Sequence, residues 1–176
     1  RFSDSIEAAK STDVAAPARN THSDLAVTFD PMTLDTQPHG QNAADEIKHR
    51  LGNTPPKRWR VFNVWQQISP PPQDIPLAVC DISTVSSNDV LLGEGTLPTN
   101  GSDGASESPI FRLSFFKKNP KHRWYHFSNM LPGEAIIFSG LDLTEKNTSG
   151  RVPHTAFDLP DIARNIVPRS SIEIRT

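Results

Sequence analysis

Residues 58–68 read RWRVFNVWQQI, and the pattern of this run decides the fold. Trp59, Val61, Asn63, Trp65 and Gln67 alternate with Arg60, Phe62, Val64 and Gln66. Both sets carry large or β-branched side chains, so the run reads as a strand buried on two sides. Pro70, Pro71 and Pro72 end it, and residues 76–80 (PLAVC) begin another short apolar run. Downstream, residues 110–116, 123–127 and 134–138 read as strands, with Asn119-Pro120 and Pro132-Gly133 supplying the turns between them. Residues 170–175 (SSIEIR) alternate strictly, with Ile172 and Ile174 on one face. Short strands, turns rich in Pro and Gly, and little helix predict an all-β sandwich or barrel.

Outside these runs the signals are sparser. Residues 41–51 (QNAADEIKHRL) predict a short helix, because Ala44, Ile47 and Leu51 recur at helical spacing before Gly52-Asn53 and Pro55-Pro56. Residues 1–24 are polar and predict irregular chain. Residues 93–109 read as a soft loop of Gly, Ser, Asn and Pro, expected to be a mobile loop or lid. A length of 176 residues suits a single domain over 1–176. The chain opens at Arg1 without a methionine, and a fragment is expected.

Composition narrows the function classes. With 18 basic and 20 acidic residues the net charge is −2, and neither sign is clustered, so no nucleic acid and no membrane is expected as a partner. The longest apolar stretch is far too short to cross a bilayer. The single cysteine, Cys80, cannot form an internal disulfide; it reads as a small buried residue in a reducing, cytoplasmic compartment.

One short motif carries chemistry. His22-Ser23-Asp24 is a His-x-Asp, and in extended chain residues two apart face the same way, so an imidazole and a carboxylate can grip one metal ion. A histidine from a distant strand would complete a facial set of two histidines and one carboxylate. That geometry selects non-haem iron(II) and leaves positions open for a chelating co-substrate and dioxygen. Six histidines and 20 acidic residues make a chance His-x-Asp common, and a surface turn is the plain alternative. His39 and His49 compete as the proximal histidine, but neither has an acidic residue two positions on.

The runs RWRVFNVWQQI, DIPLAVCD, HRWYHFSNMLPGEAIIF, PHTAFDLP and PRSSIEIR, in that order, resemble the cephem 7-methoxylase-component and aspergillic-acid-hydroxylase-like group of oxygenases. The resemblance runs from about Arg58 to the end, and the family's usual N-terminal region is missing in part. It implies a mainly β fold, a double-stranded β-helix (jelly roll, cupin-like) with few short flanking helices. It implies iron(II), 2-oxoglutarate as co-substrate, and oxidation of a small molecule in secondary metabolism: hydroxylation, desaturation or a related C–H oxidation. By position it makes His154 the distal metal ligand, with His22 and Asp24 the proximal pair. In such proteins an arginine on a late strand holds the far carboxylate of 2-oxoglutarate. Arg169-x-Ser171 offers a guanidinium fork and a hydroxyl for that task, with Arg175 the competitor.

Other polar residues carry two readings each. Asn63 either contacts the co-substrate or makes a buried structural hydrogen bond. Arg123 and Tyr125 either assist the co-substrate or form a surface pair. His126 reads as structural, Asp158 as an acceptor for His154, and Trp59, Trp65 and Trp124 as core. The expected partners are the small-molecule substrate, 2-oxoglutarate and O2, with a homodimer left open. Two further classes compete: a non-catalytic β-helix subunit or binding protein, and a cupin-type metal enzyme that needs no 2-oxoglutarate.

Overall fold

The computed structural model describes residues 17–26, 49–50, 57–96, 110–144, 147–160 and 167–176. Among them, ten strands run in chain order: β1 (His22–Ser23), β2 (Arg58–Gln67), β3 (Leu77–Cys80), β4 (Val90–Thr96), β5 (Ile110–Phe116), β6 (Trp124–His126), β7 (Ala135–Thr144), β8 (Asn147–Ser149), β9 (His154–Ala156) and β10 (Ser171–Arg175). They form two antiparallel sheets. One has six strands in the order β4-β5-β1-β9-β3-β6, the other four in the order β10-β2-β7-β8. Sequence neighbours are mostly not sheet neighbours, so the chain crosses between the layers as a jelly-roll β-helix does.

The two layers close on a small apolar core. Trp65 of β2 and Phe138 of β7 meet Leu77 of β3 and Met130, with Val79, Ile136 and Val152 packed around them. Burial of each such side chain contributes about 1.5–3 kcal/mol. The buried side of β2 is Asn63, Trp65 and Gln67; its other side is only half-buried, not enclosed as the sequence predicts. On that outer side Val64 lies between Ile174 and Ile137, which are 59% and 67% exposed. Among the described residues, no layer covers this face.

The register of β10 then fixes which of its residues face inward. Ser171, Glu173 and Arg175 pair with Gln67, Trp65 and Asn63, and directly opposed residues share a face. The polar side of SSIEIR therefore lines the interior, and its isoleucines point out. Between Val61 and Phe62, just before Asn63, the ladder slips: Val61 pairs with Leu141 and Phe62 with Ser139, leaving Gly140 as a bulge residue. A Cβ at Gly140 would overlap Asn63 Oδ1 and lie 3.5 Å from the Val61 carbonyl oxygen. Gly140→Ala is expected to push the Asn63 amide out of place and cost about 1–3 kcal/mol, read from urea denaturation.

Two expectations change here. Gly93–Thr96 are not loop but the end of β4, paired with β5; residues 97–109 lie outside the described residues. Gly93 is tolerated in the strand because the Phe115 ring lies where its Cβ would be. His22 and Ser23 leave the predicted irregular segment to form β1, held between β5 and β9. The expected helix at 41–51 is described only at His49 and Arg50, which are helical.

Candidate metal centre

β1 and β9 are adjacent, and His22 stands directly opposite His154. Their ring centroids lie 4.5 Å apart. Asp24, two residues on from His22, swings its carboxylate between them. Oδ1 is 3.8 Å from His22 Nε2, and Oδ2 is 3.6 Å from His154 Nε2. One donor atom from each of the three residues falls within 4.8 Å of the others. Ligands at right angles around one ion, at ~2.1 Å each, lie roughly 3.0 Å apart, so small adjustments would close this set on a metal.

The other ring nitrogens orient the imidazoles. His22 Nδ1 lies 2.6 Å from the Asn20 carbonyl, and His154 Nδ1 lies 3.1 Å from the Val152 carbonyl. A carbonyl can only accept, so each Nδ1 carries a proton, and Nε2 is the atom that each ring turns toward Asp24. Asp158, expected to accept from His154, instead pairs with Arg19. The backbone of Val152 fills that role, a partner that no side-chain motif could reveal.

Charge favours metal binding as well. Burial lowers the His154 pKa from its ordinary 6.5, partly opposed by the nearby Asp24 carboxylate. Burial would raise the Asp24 carboxyl, but Arg175, His154, Asn63 and His22 together outweigh it and hold it below the usual value. The set therefore presents a neutral imidazole and an ionised carboxylate. In the unfolded chain His154 takes up a proton as pH falls through 6.5; buried in the fold it resists protonation until lower pH. Over that interval the unfolded state holds more protons, so stability rises with pH. The metal-free protein should lose stability as pH drops below 6.5, and His154→Ala should remove part of that slope. Urea denaturation over a pH series measures both.

Asn63 and the end of β10 surround the carboxylate. Asn63, fully buried, donates to Asp24 Oδ2 at 2.5 Å and to Glu173 Oε1 at 2.6 Å. Arg175 Nη2 donates to Asp24 Oδ1 at 2.9 Å. Burial first, and then the Asp24 carboxylate, push the Glu173 carboxyl up. Glu173 escaped the sequence reading, although strict alternation after Arg169 already placed it on the same face as Ser171 and Arg175.

Arg169 lies just before β10, buried to 7% exposure. Its guanidinium covers the Trp65 ring at 5.4 Å, and Nη1 donates to the Ile75 carbonyl at 2.8 Å. Nε is buried without a partner among the described residues. Burial pushes the pKa of this arginine down to about 10, opposed by Asp74 and Glu173. A buried cation with an orphaned donor suits an anionic ligand such as a carboxylate. Ser171 follows on the same inner face, opposite Gln67.

The remaining candidates fall away from the cluster. Arg123 pairs with Asp81 at 2.7 Å on the surface, and Tyr125 is 54% exposed. His126 is exposed and packs edge-on to Phe157. His49 is exposed, and His39 lies outside the described residues. Trp65 is core, Trp59 half-buried, and Trp124 exposed at 37%. Cys80 is buried, and burial raises its thiol pKa.

Two histidines and a carboxylate converging from the inner wall of a jelly-roll β-helix are the donor set that a mononuclear facial-triad metal centre uses. The chain belongs to the family described as Oxidoreductase/YMDC permease-like domain, whose model matches residues 2–176. No helix among the described residues is long and apolar enough to cross a membrane. Hydroxylase/desaturase asaB of Aspergillus flavus is 33% identical over 123 residues, 67% of this chain and 54% of the relative. Fe(II)/2-oxoglutarate-dependent dioxygenase nvfI of Aspergillus novofumigatus is 29% identical over 164 residues, 90% of this chain and 51% of the relative. The solved iron and alpha-ketoglutarate-dependent endoperoxidase NvfI superposes with a TM-score of 0.65 at 25% identity, covering 92% of this chain and 53% of that one. The chain thus spans about half the length of the curated relatives it matches.

Proposed function

We propose that this chain is the metal-binding β-helix of an iron(II)- and 2-oxoglutarate-dependent oxygenase acting on a small molecule of secondary metabolism. The observation that carries this reading is the convergence of His22, Asp24 and His154 donor atoms within 4.8 Å of one another. The names of the similar proteins support the co-substrate: one is a 2-oxoglutarate-dependent dioxygenase, another an alpha-ketoglutarate-dependent endoperoxidase. The finer grouping, with the cephem 7-methoxylase-component and aspergillic-acid-hydroxylase-like oxygenases, rests on the five ordered sequence blocks. The lone Cys80 suits a cytosolic setting.

In this reading His22, Asp24 and His154 hold iron(II) on one face. Arg169 and Ser171 bind the far carboxylate of 2-oxoglutarate, whose negative charge satisfies the orphaned Nε. Asn63 serves the metal carboxylate directly, so its structural role is the one the geometry favours. Iron, when bound, couples decarboxylation of 2-oxoglutarate to oxidation of a substrate C–H bond. The chain contributes position and a correct imidazole tautomer.

The test is succinate formation by iron-loaded protein supplied with 2-oxoglutarate and air. Succinate above the level of an Asp24→Ala control supports the reading. Bound iron with no succinate, even with relatives' substrates supplied, favours the cupin-type alternative. No iron binding favours the non-catalytic one.

A further inference from the structure

Two donors grip Asp24, one on each carboxylate oxygen, and both also reach Glu173. Asn63 uses its single amide nitrogen to bridge Asp24 Oδ2 and Glu173 Oε1. Arg175 Nη2 lies 2.9 Å from Asp24 Oδ1 and 3.7 Å from Glu173 Oε1. The amide cannot be turned the other way, because both neighbours are carboxylate oxygens and only the NH2 end donates. Behind it, the bulge at Gly140 gives the Asn63 Oδ1 atom its space.

Asn63 is fixed by burial, but the Arg175 side chain is 53% exposed and has solvent as an alternative. Glu173, whose side chain is 25% exposed, faces inward and gives that guanidinium a second anion beside Asp24. Without a negative charge there, Arg175 has less reason to stay against Oδ1. The carboxylate would then rotate about its last bond, and its oxygen would lose its fixed angle to the two imidazoles.

We propose that Glu173 is a positioning residue for the metal centre: it holds Asn63 and Arg175 against Asp24 and so sets the direction of that carboxylate. The inference rests on Asp24 being a metal ligand. Metal ligands that are themselves hydrogen-bonded lose about 10–100-fold in affinity when the outer partner is removed. Glu173→Gln keeps size and an acceptor for Asn63 while removing the charge that holds Arg175.

The experiment titrates the purified chain with cobalt(II) without oxygen, following the d–d absorption bands and, separately, binding heat. Wild type should bind one equivalent. Glu173→Gln should bind about 10–100-fold more weakly, with altered d–d bands in the saturated protein. Arg175→Ala should change the bands in the same direction. The double variant should lose less than the product of the two single losses, since both act through one carboxylate. A residue with a merely structural role would lower the urea midpoint and leave the bands of bound cobalt unchanged.

Wild-type affinity and bands in Glu173→Gln overturn the inference and leave the metal reading intact. Should Glu173→Gln not fold, Arg175→Ala alone decides: unchanged affinity and bands overturn the inference, and a shift in both supports it. A wild-type chain that binds no cobalt or iron overturns the metal reading, and this inference with it.

Discussion

His154→Ala is expected to abolish iron binding, weakening it by well over ~100-fold, the upper end of what losing an outer partner costs. The lost group is a neutral imidazole whose Nε2 points at Asp24 from 3.6 Å, while its Nδ1–H donates to the Val152 carbonyl. No other histidine among the described residues stands ready to replace it: His126 is exposed on β6, and His122 is committed to Asp89 at 3.1 Å. The fold should survive, since β9 is held by backbone pairing with β3 and β1. Circular dichroism would show the sheets retained while equilibrium dialysis shows the iron gone. Retained iron in His154→Ala would remove this residue from the ligand set.

The second large effect concerns the co-substrate. Arg169→Ala should lower 2-oxoglutarate affinity by about tenfold to a hundredfold or more, since a hydrogen bond to a charged group is worth roughly 1.5–3 kcal/mol. Iron affinity should hardly change, because Arg169 makes no bond to the cluster; its side-chain bond is to Ile75. Arg169→Lys should recover only part of the loss, as an ammonium cannot reproduce the planar fork. Arg175→Ala separates the two roles. With Nη2 on Asp24, it should loosen iron first and 2-oxoglutarate only as a consequence. If Arg175→Ala instead spares iron and abolishes 2-oxoglutarate binding, the carboxylate partner is Arg175.

Much of this was legible in the chain itself. Alternation named β2 and β10 within a residue or two, because period-two burial is a direct consequence of the pleat, and short runs between turn residues named β3, β5 and β6. His22-x-Asp24 was visible as a motif, and His154 through its family resemblance. Three things were not. β4 hid behind Gly93 and Gly95, which read as loop until β5 pairs with both and the Phe115 ring packs on Gly93. Alternation put Ile172 and Ile174 on one face of β10 without saying which way it turns, and pairing with β2 turns them outward. Glu173 carried no reading of its own, although it shares a face with Ser171 and Arg175. The carbonyls that set both imidazole tautomers belong to backbone, and no residue code announces them.

The most direct test of an iron and 2-oxoglutarate centre is an oxygen-free titration of iron(II)-loaded protein with 2-oxoglutarate, following visible absorption. One iron per chain and a saturable metal-to-ligand charge-transfer band are expected, with the band lost in Asp24→Ala and shifted to higher 2-oxoglutarate concentration in Arg169→Ala. Iron bound at full occupancy with no band at any 2-oxoglutarate concentration would contradict it.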